Sequence, residues 1–175
     1  NADPVLGVDM SSTGEVGCLG DDFNEALLNS LIATGYKIPQ KSVMFSSGPA
    51  KSKVDLLDAS RMLQAKGYEI YATPGTAKFL NENGVEAVTV HWPDENTSAE
   101  NNVMKMIADH KFDLIVNIPK NHSSRELTNG YRIRRGAIDH NIPLMTNARL
   151  AKAFIEAFCQ MEQKDIQIKS WQEYK

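Results

Sequence analysis

Residues 68–84 read YEIYATPGTAKFLNENG, and the order of residue types in that stretch decides the fold class. YEIYA (68–72) has the aromatic and β-branched content of a strand. PGTAKFLNENG (74–84) reads as a short helix that Gly84 ends. Between them lies Ala72-Thr73-Pro74-Gly75-Thr76, a turn that leaves a strand and opens a helix. Gly75 permits a tight turn and close approach of a ligand to the backbone. The helix start offers N–H groups and the positive end of a dipole, which suit a phosphate or carboxylate. Thr73 and Thr76 add two hydroxyls. A plainer reading makes Thr73 an N-cap and Gly75 a turn residue.

The same rhythm extends outward on both sides. SVMFSS (42–47) is a short apolar run, a buried-strand candidate. KVDLLDASRMLQAKG (53–67) carries a helical stripe of apolar residues. VEAVTV (85–90) is a strand, SAENNVMKMIADH (98–110) a helix, and FDLIVNI (112–118) a strongly apolar strand. Residues 119–129 read as a polar loop. YRIRRGAIDHN (131–141) is helical, IPLMT (142–146) a short strand, and NARLAKAFIEAFCQM (147–161) a closing helix. The tail KDIQIKSWQEYK alternates weakly, as an edge strand or a frayed end would.

Strands therefore alternate with helices about five times. They read as continuous apolar runs more than as in-out patterns, the mark of a parallel sheet covered on both faces. Right-handed crossovers place every strand-to-helix loop at the carboxyl edge, where such folds bind ligands. Residues 1–37 read as a separate piece, with the break at Lys37-Ile38-Pro39 and a domain over 38–175. DDFNEALLNSLIATG in that piece is helical, with Asp21 or Asp22 as its cap and Gly35 as its end. A lone helix buries little, so it is expected to pack on a neighbouring module or on the following domain.

Composition narrows the function. The apolar share is 42%, that of an ordinary globular chain, and the net charge is −3. A weakly acidic balance gives no electrostatic reason to expect nucleic-acid or membrane binding. Cys18 and Cys159 lie far apart and match no metal-ligand spacing, which points to a reducing, cytoplasmic compartment. No apolar run approaches the roughly 20 residues that span a bilayer, and no signal peptide is visible. The chain begins without methionine and in mid-phrase, as an excised fragment of something longer would.

Other residues could serve the same edge. Lys53, at the start of the helix after the first strand, could give an anion a point charge; Lys51 is the substitute. Asn117 ends the most apolar strand, and its amide can donate and accept. Arg134 and Arg135 point about 100° apart on a helix, so one of them faces the cleft. Trp92 could stack on a flat ligand or cover the cleft. His91, His110, His122 and His140 form no HExxH pair, and GxSxG, Walker A and GxGxxG are absent. No catalytic set and no metal site are expected.

These pieces combine into a pattern. DPVLGVDMSSTGEVGCLGDDFNEALL (3–28), with its core at residues 10–16, is similar to the segment that closes the second synthetase half of carbamoyl-phosphate synthase large subunits. YATPGTAKFL, DLIVNIP, GYRIRR and IPLMTNARLAKAF resemble, in order and spacing, the C-terminal regulatory domain of that family, which has the methylglyoxal-synthase-like fold. The resemblance implies a five-stranded parallel sheet flanked by helices on both faces, a Rossmann-type three-layer sandwich. It implies an allosteric effector at the carboxyl edge: UMP or IMP, a uridine nucleotide or phosphoribosyl pyrophosphate, or N-acetylglutamate. By position, Lys53, Thr73, Gly75, Thr76 and Asn117 match effector-binding positions, and Arg134 is placed with them. Trp92 matches a tryptophan of the acetylglutamate-responsive type, while Lys120 and Gly130 fall where that type tends to have asparagines.

The resemblance further implies a parent ligase that makes carbamoyl phosphate for pyrimidine and arginine biosynthesis, using ATP with Mg or Mn. Its other partners would be the rest of the large chain, a glutaminase small subunit and, as one option, a second copy of itself. The fragment itself is expected to hold no cofactor and no catalytic activity. Methylglyoxal synthases share the threonine loop but need an aspartate base, near Glu100 here, and a histidine, for which only the offset His122 is present. The rivals are therefore a phosphate-eliminating lyase and an interaction domain whose cleft has lost its ligand.

Overall fold

The computed structural model describes residues 16–119, 123–161, 166 and 169–173. The motif core at 10–16, except Val16, lies outside them, as do Lys120, His122 and much of the tail. Eleven regular elements follow the alternation read from the sequence: α1 (Phe23–Ala33), β1 (Ser42–Ser47), α2 (Ala50–Ala65), β2 (Glu69–Ala72), α3 (Pro74–Glu82), β3 (Val88–Thr89), α4 (Val103–Ala108), β4 (Leu114–Ile118), α5 (Ser124–Asp139), β5 (Leu144–Met145) and α6 (Ala148–Gln160). All strand pairs are parallel, in the order β3-β2-β1-β4-β5. The order reverses between β1 and β4, because β2 and β3 extend the sheet one way and β5 the other.

Side-chain alternation explains the continuous apolar strands. Val43, Phe45, Ile70, Ala72, Leu114 and Val116 point to one core, shared with α1, α2, α3 and α6. Met44, Tyr71 and Ile115 point to the other, shared with α4 and α5. Both faces of the sheet are buried, so both sets of alternate positions must be apolar.

Helix α1 docks on this domain. Leu28 is fully buried in the first core, and Tyr36 stacks edge-on against Phe154 of α6 at 6.3 Å. The Asp22 side chain accepts from the Glu25 N–H at 2.9 Å, and Gly35 leaves the helix at φ 92°. Of the two destinations the pattern left open, the helix takes the following domain.

Three elements depart from the sequence expectation. β3 covers 88–89 where a strand over 85–90 was expected. The Asn81 side chain brackets Ala87, donating to its carbonyl at 3.1 Å and accepting from its N–H at 3.0 Å, so α3 holds this backbone instead of the sheet. α4 begins at Val103, because Asn102 is its cap and accepts from the Met104 N–H at 2.9 Å. α5 begins at Ser124, inside the stretch expected to be loop. Ser123 caps the helix: its hydroxyl accepts from the Glu126 N–H at 3.2 Å and donates to the Glu126 carboxylate at 3.0 Å.

Leu28→Ala tests how firmly α1 belongs to the domain. The expected loss is about 2–5 kcal/mol of unfolding free energy, the range for emptying a packed leucine site. Urea denaturation reads it directly, and a loss below roughly 0.5 kcal/mol, as for a surface substitution, would mean α1 is peripheral.

Candidate functional site

The central strands change character at one level. Ala72, Phe45 and Val116 lie side by side and are apolar. The next positions are Thr73, Ser46 and Asn117, polar and only 2%, 4% and 2% exposed. The register pairs Ser46 with Asn117, and the Thr73 N–H donates to the Phe45 carbonyl at 3.1 Å. Two strand spacings make this row roughly 10 Å long. It crosses the sheet where the strand order reverses, which is where open α/β sheets form their crevice.

A cavity of about 230 Å³ opens over the row, lined by Ser46, Ser47, Gly48, Lys53, Thr73, Gly75, Thr76, Trp92, Asn117, Ile118, Pro119, Glu126 and Gly130. Six of the seven residues singled out in the sequence therefore meet in one place. Arg134 does not line the cavity; it reaches Asn117. Its Nη1 donates to Asn117 Oδ1 at 2.7 Å. Arg135 turns away and pairs with Asp139 at 2.7 Å, as the angle between neighbouring helical positions requires.

The threonine loop works differently from the sequence expectation. The Thr73 side chain makes no cap hydrogen bond; its hydroxyl lies 3.4 Å from that of Ser46. Thr76 is a strut. Its Oγ1 accepts from the Ser47 N–H at 3.0 Å and donates to the Ser47 carbonyl at 3.2 Å, tying α3 to the end of β1. The helix mouth is also narrower than a full cradle. Pro74 has no N–H, and the Thr76 and Ala77 N–H groups both turn back to the Thr73 carbonyl at 2.8 Å. That leaves the Gly75 N–H at the opening. Lys53 Nζ donates to the Gly75 carbonyl at 2.9 Å, which puts the ammonium over the same turn. Lys51 is exposed and outside the lining.

Ser47 was not singled out in the sequence, yet it carries a sharp observation. Its Oγ is the one buried side-chain polar atom among the described residues with no hydrogen-bond partner. A hydroxyl left so costs about 1–3 kcal/mol. The signal was present in Ser46-Ser47-Gly48-Pro49, a turn sequence on the same sheet edge as the threonine loop. Glu126 was also missed, because the first turn of α5 was read as loop; Gly130, which the resemblance had set at an asparagine position, is in the lining.

The wall that carries Trp92 is pinned by charge. The Asn102 amide donates to the carbonyls of Trp92 at 3.0 Å and Glu95 at 2.7 Å. Arg125 grips Asp94 through Nε at 2.6 Å and Nη2 at 3.1 Å, and reaches Glu95 at 2.6 Å. Asn129 adds a bond to Asp94 at 2.8 Å. The Arg125 guanidinium thus holds the Asp94 carboxyl down to about 2 from an ordinary 3.8, and the carboxylates raise Arg125 in return. Glu100 is exposed and lines a different hollow, with Tyr71 and Lys105. Among the described residues, no group of three or more His, Cys, Asp and Glu could hold a metal ion, and no helix is long and apolar enough to cross a membrane. Burial pushes the Cys159 thiol up to about 11, which keeps it unreactive near neutrality.

The fold and cavity define an open parallel α/β domain with a polar crevice at its switch point. Residues 55–146, more than half the chain, match the family model described as MGS-like domain, and the chain belongs to that family. Its relatives are long. It is 41% identical over 89% of its length to the multifunctional protein CAD of Squalus acanthias, and covers 8% of that protein. It is 40% identical over 89% of its length to the multifunctional protein URA2 of Saccharomyces cerevisiae, covering 7%. It is 38% identical over 90% of its length to the mitochondrial, ammonia-type carbamoyl-phosphate synthase of Homo sapiens, covering 10%.

Asp94 supports folding while it is ionised. Its pKa is lower in the folded chain than in the unfolded one, so this contribution is complete above pH 3.8 and is lost as pH falls through about 2. Following the Asp94 carboxyl carbon by NMR should show a midpoint near 2. In Arg125→Met the midpoint should return toward 3.8.

Proposed function

We propose that this chain is the allosteric regulatory module of a carbamoyl-phosphate synthase large chain, and that the cavity at its carboxyl edge takes a small anionic effector such as UMP or IMP. The observation that carries this is the convergence of Lys53, the Gly75 turn, Thr73 and the unpartnered Ser47 hydroxyl around one cavity at the sheet's switch point. Such a set favours negative charge through hydrogen bonds to an ionised group, which are stronger than neutral ones. The name of one relative, the carbamoyl-phosphate synthase of Homo sapiens, supports such a parent. For the effector to regulate, it must bind one state of that parent better than another. The covalent route to the parent runs through residues 1–37.

A second reading, N-acetylglutamate as the effector, is favoured by Trp92 in the cavity wall and by the compact volume. At about 230 Å³ the cavity is smaller than the usual ligand pockets of roughly 300–1,000 Å³. It suits a small ligand, or the charged end of a larger one.

A thermal-shift screen against UMP, IMP, UTP, phosphoribosyl pyrophosphate and N-acetylglutamate tests both readings. The true effector should raise Tm by mass action, by the equivalent of about 2.7 kcal/mol at a hundred times its Kd. Thr73→Val keeps the shape and removes the hydroxyl, so calorimetry should show affinity down about tenfold or more. Wild-type affinity in that variant would place the effector elsewhere. Sustained methylglyoxal formation from dihydroxyacetone phosphate by the purified chain would favour the lyase instead.

A further inference from the structure

Arg134 was expected in the cleft, but it does not line the cavity; its guanidinium is bonded to Asn117 instead. A guanidinium has N–H donors and no acceptor. The bond at 2.7 Å must therefore end on the Asn117 oxygen, and the amide cannot be turned over without setting N–H groups against N–H groups. Asn117 is 2% exposed, so its amide cannot swing out to bulk solvent. Its oxygen is taken by Arg134, and its NH2 is what remains for the cavity. Gly130 makes this possible. A side-chain carbon there would come within 3.0 Å of Arg134 Nη1 and 3.7 Å of Asn117 Oδ1. Residues four apart share a helix face, so the glycine leaves the guanidinium room to lie along α5.

We propose that Arg134 is a positioning residue that sets the polarity of the site: it turns Asn117 so that a donor faces the cavity, and thereby selects ligands with an acceptor at both ends. This rests on the cavity being the effector site. At one end are the Lys53 ammonium, the Gly75 N–H and the Thr73 and Ser47 hydroxyls. At the other, across the row of strands, is the Asn117 NH2. A ligand with an anionic group at the first end and a carboxylate or carbonyl at the second satisfies both. One with an ammonium or amide N–H at the second end meets another donor. The chemical class is thus a compact molecule with a phosphate or carboxylate at one end and a second acceptor at the other.

Two probes separate these cases. 3-Phosphonopropionate and 2-aminoethylphosphonate share a phosphonate and a two-carbon linker, and differ in carboxylate against ammonium. Calorimetry on the wild-type chain should favour the carboxylate probe by about tenfold or more, the scale of one hydrogen bond to a charged group. Arg134→Lys keeps donors at Asn117 and should keep most of the preference. Arg134→Met frees the amide to rotate, and Arg134→Glu accepts from its NH2 and turns its oxygen to the cavity. The preference should collapse in the first and reverse in the second. Arg135→Met removes the same charge one residue away and should leave it intact.

The ratio of two Kd values in one sample does not depend on the fraction folded, so partial unfolding of Arg134→Glu does not blur the answer. An unchanged ratio in both Arg134→Met and Arg134→Glu, or an equal fall in Arg134→Met and Arg135→Met, overturns the role given to Arg134 and leaves the site standing. Binding of neither probe to the wild-type chain overturns the site and this inference with it.

Discussion

Thr73, Ser46 and Asn117 form a polar row buried inside an apolar sheet, and the rest of the site follows from how that row is satisfied. Buried polar atoms need partners or they destabilise the fold. Asn117 finds Arg134 at 2.7 Å, while Thr73 and Ser46 share a long contact at 3.4 Å. Ser47, one step on, finds no partner. The end of the sheet is therefore under-satisfied, and Ser46, Ser47, Thr73 and Asn117 all belong to the cavity's lining. In the proposed reading, a ligand with acceptors would recover what folding leaves unmet.

The two faces of the sheet contribute unequally to this arrangement. The face covered by α1, α2, α3 and α6 carries the larger core, including the fully buried Phe45 and Phe154. It brings Lys53 and the Gly75 turn to the edge on two helices. Thr76 then locks α3 to β1 through paired bonds to Ser47, so the turn has little freedom relative to the strand beneath it. The other face has two helices. On its α5 the Arg134 side chain lies against Gly130, and Gly136 lets the helix approach Met104 and Ile107 of α4 closely. The cavity wall bearing Trp92 hangs on the Arg125 clamp, an exposed set of ion pairs that salt screens. Rigid packing thus holds the end of the site with the ammonium, and screened charge holds the wall opposite.

Much of this was legible beforehand. Strand-helix alternation, apolar runs on strands buried on both faces, and a Gly-Thr turn after a strand are local properties, and each placed an element or a residue correctly. The start of α5 was legible too, in the Ser123-x-x-Glu126 cap, but the polar composition of 119–129 masked it. β3 was overcalled because Val85 and Val90 are apolar for burial. The intervening backbone is bonded by Asn81 of α3, a partner no window of strand propensity contains.

The amino-acid order by itself determined the layers, the parallel sheet, the edge that carries the site and most of the residues there, because periodicity and turn chemistry act over a few positions. It could not say which atoms of those residues remain available. Thr76 is spent as a strut, two of the helix-mouth N–H groups turn back on Thr73, and Arg134 bonds Asn117 and does not line the cavity. Hydrogen-bond capacity is a finite property of each group, and its allocation depends on neighbours 17 to 29 positions away in the chain. Only the folded arrangement of β1, β4, α3 and α5 decides it.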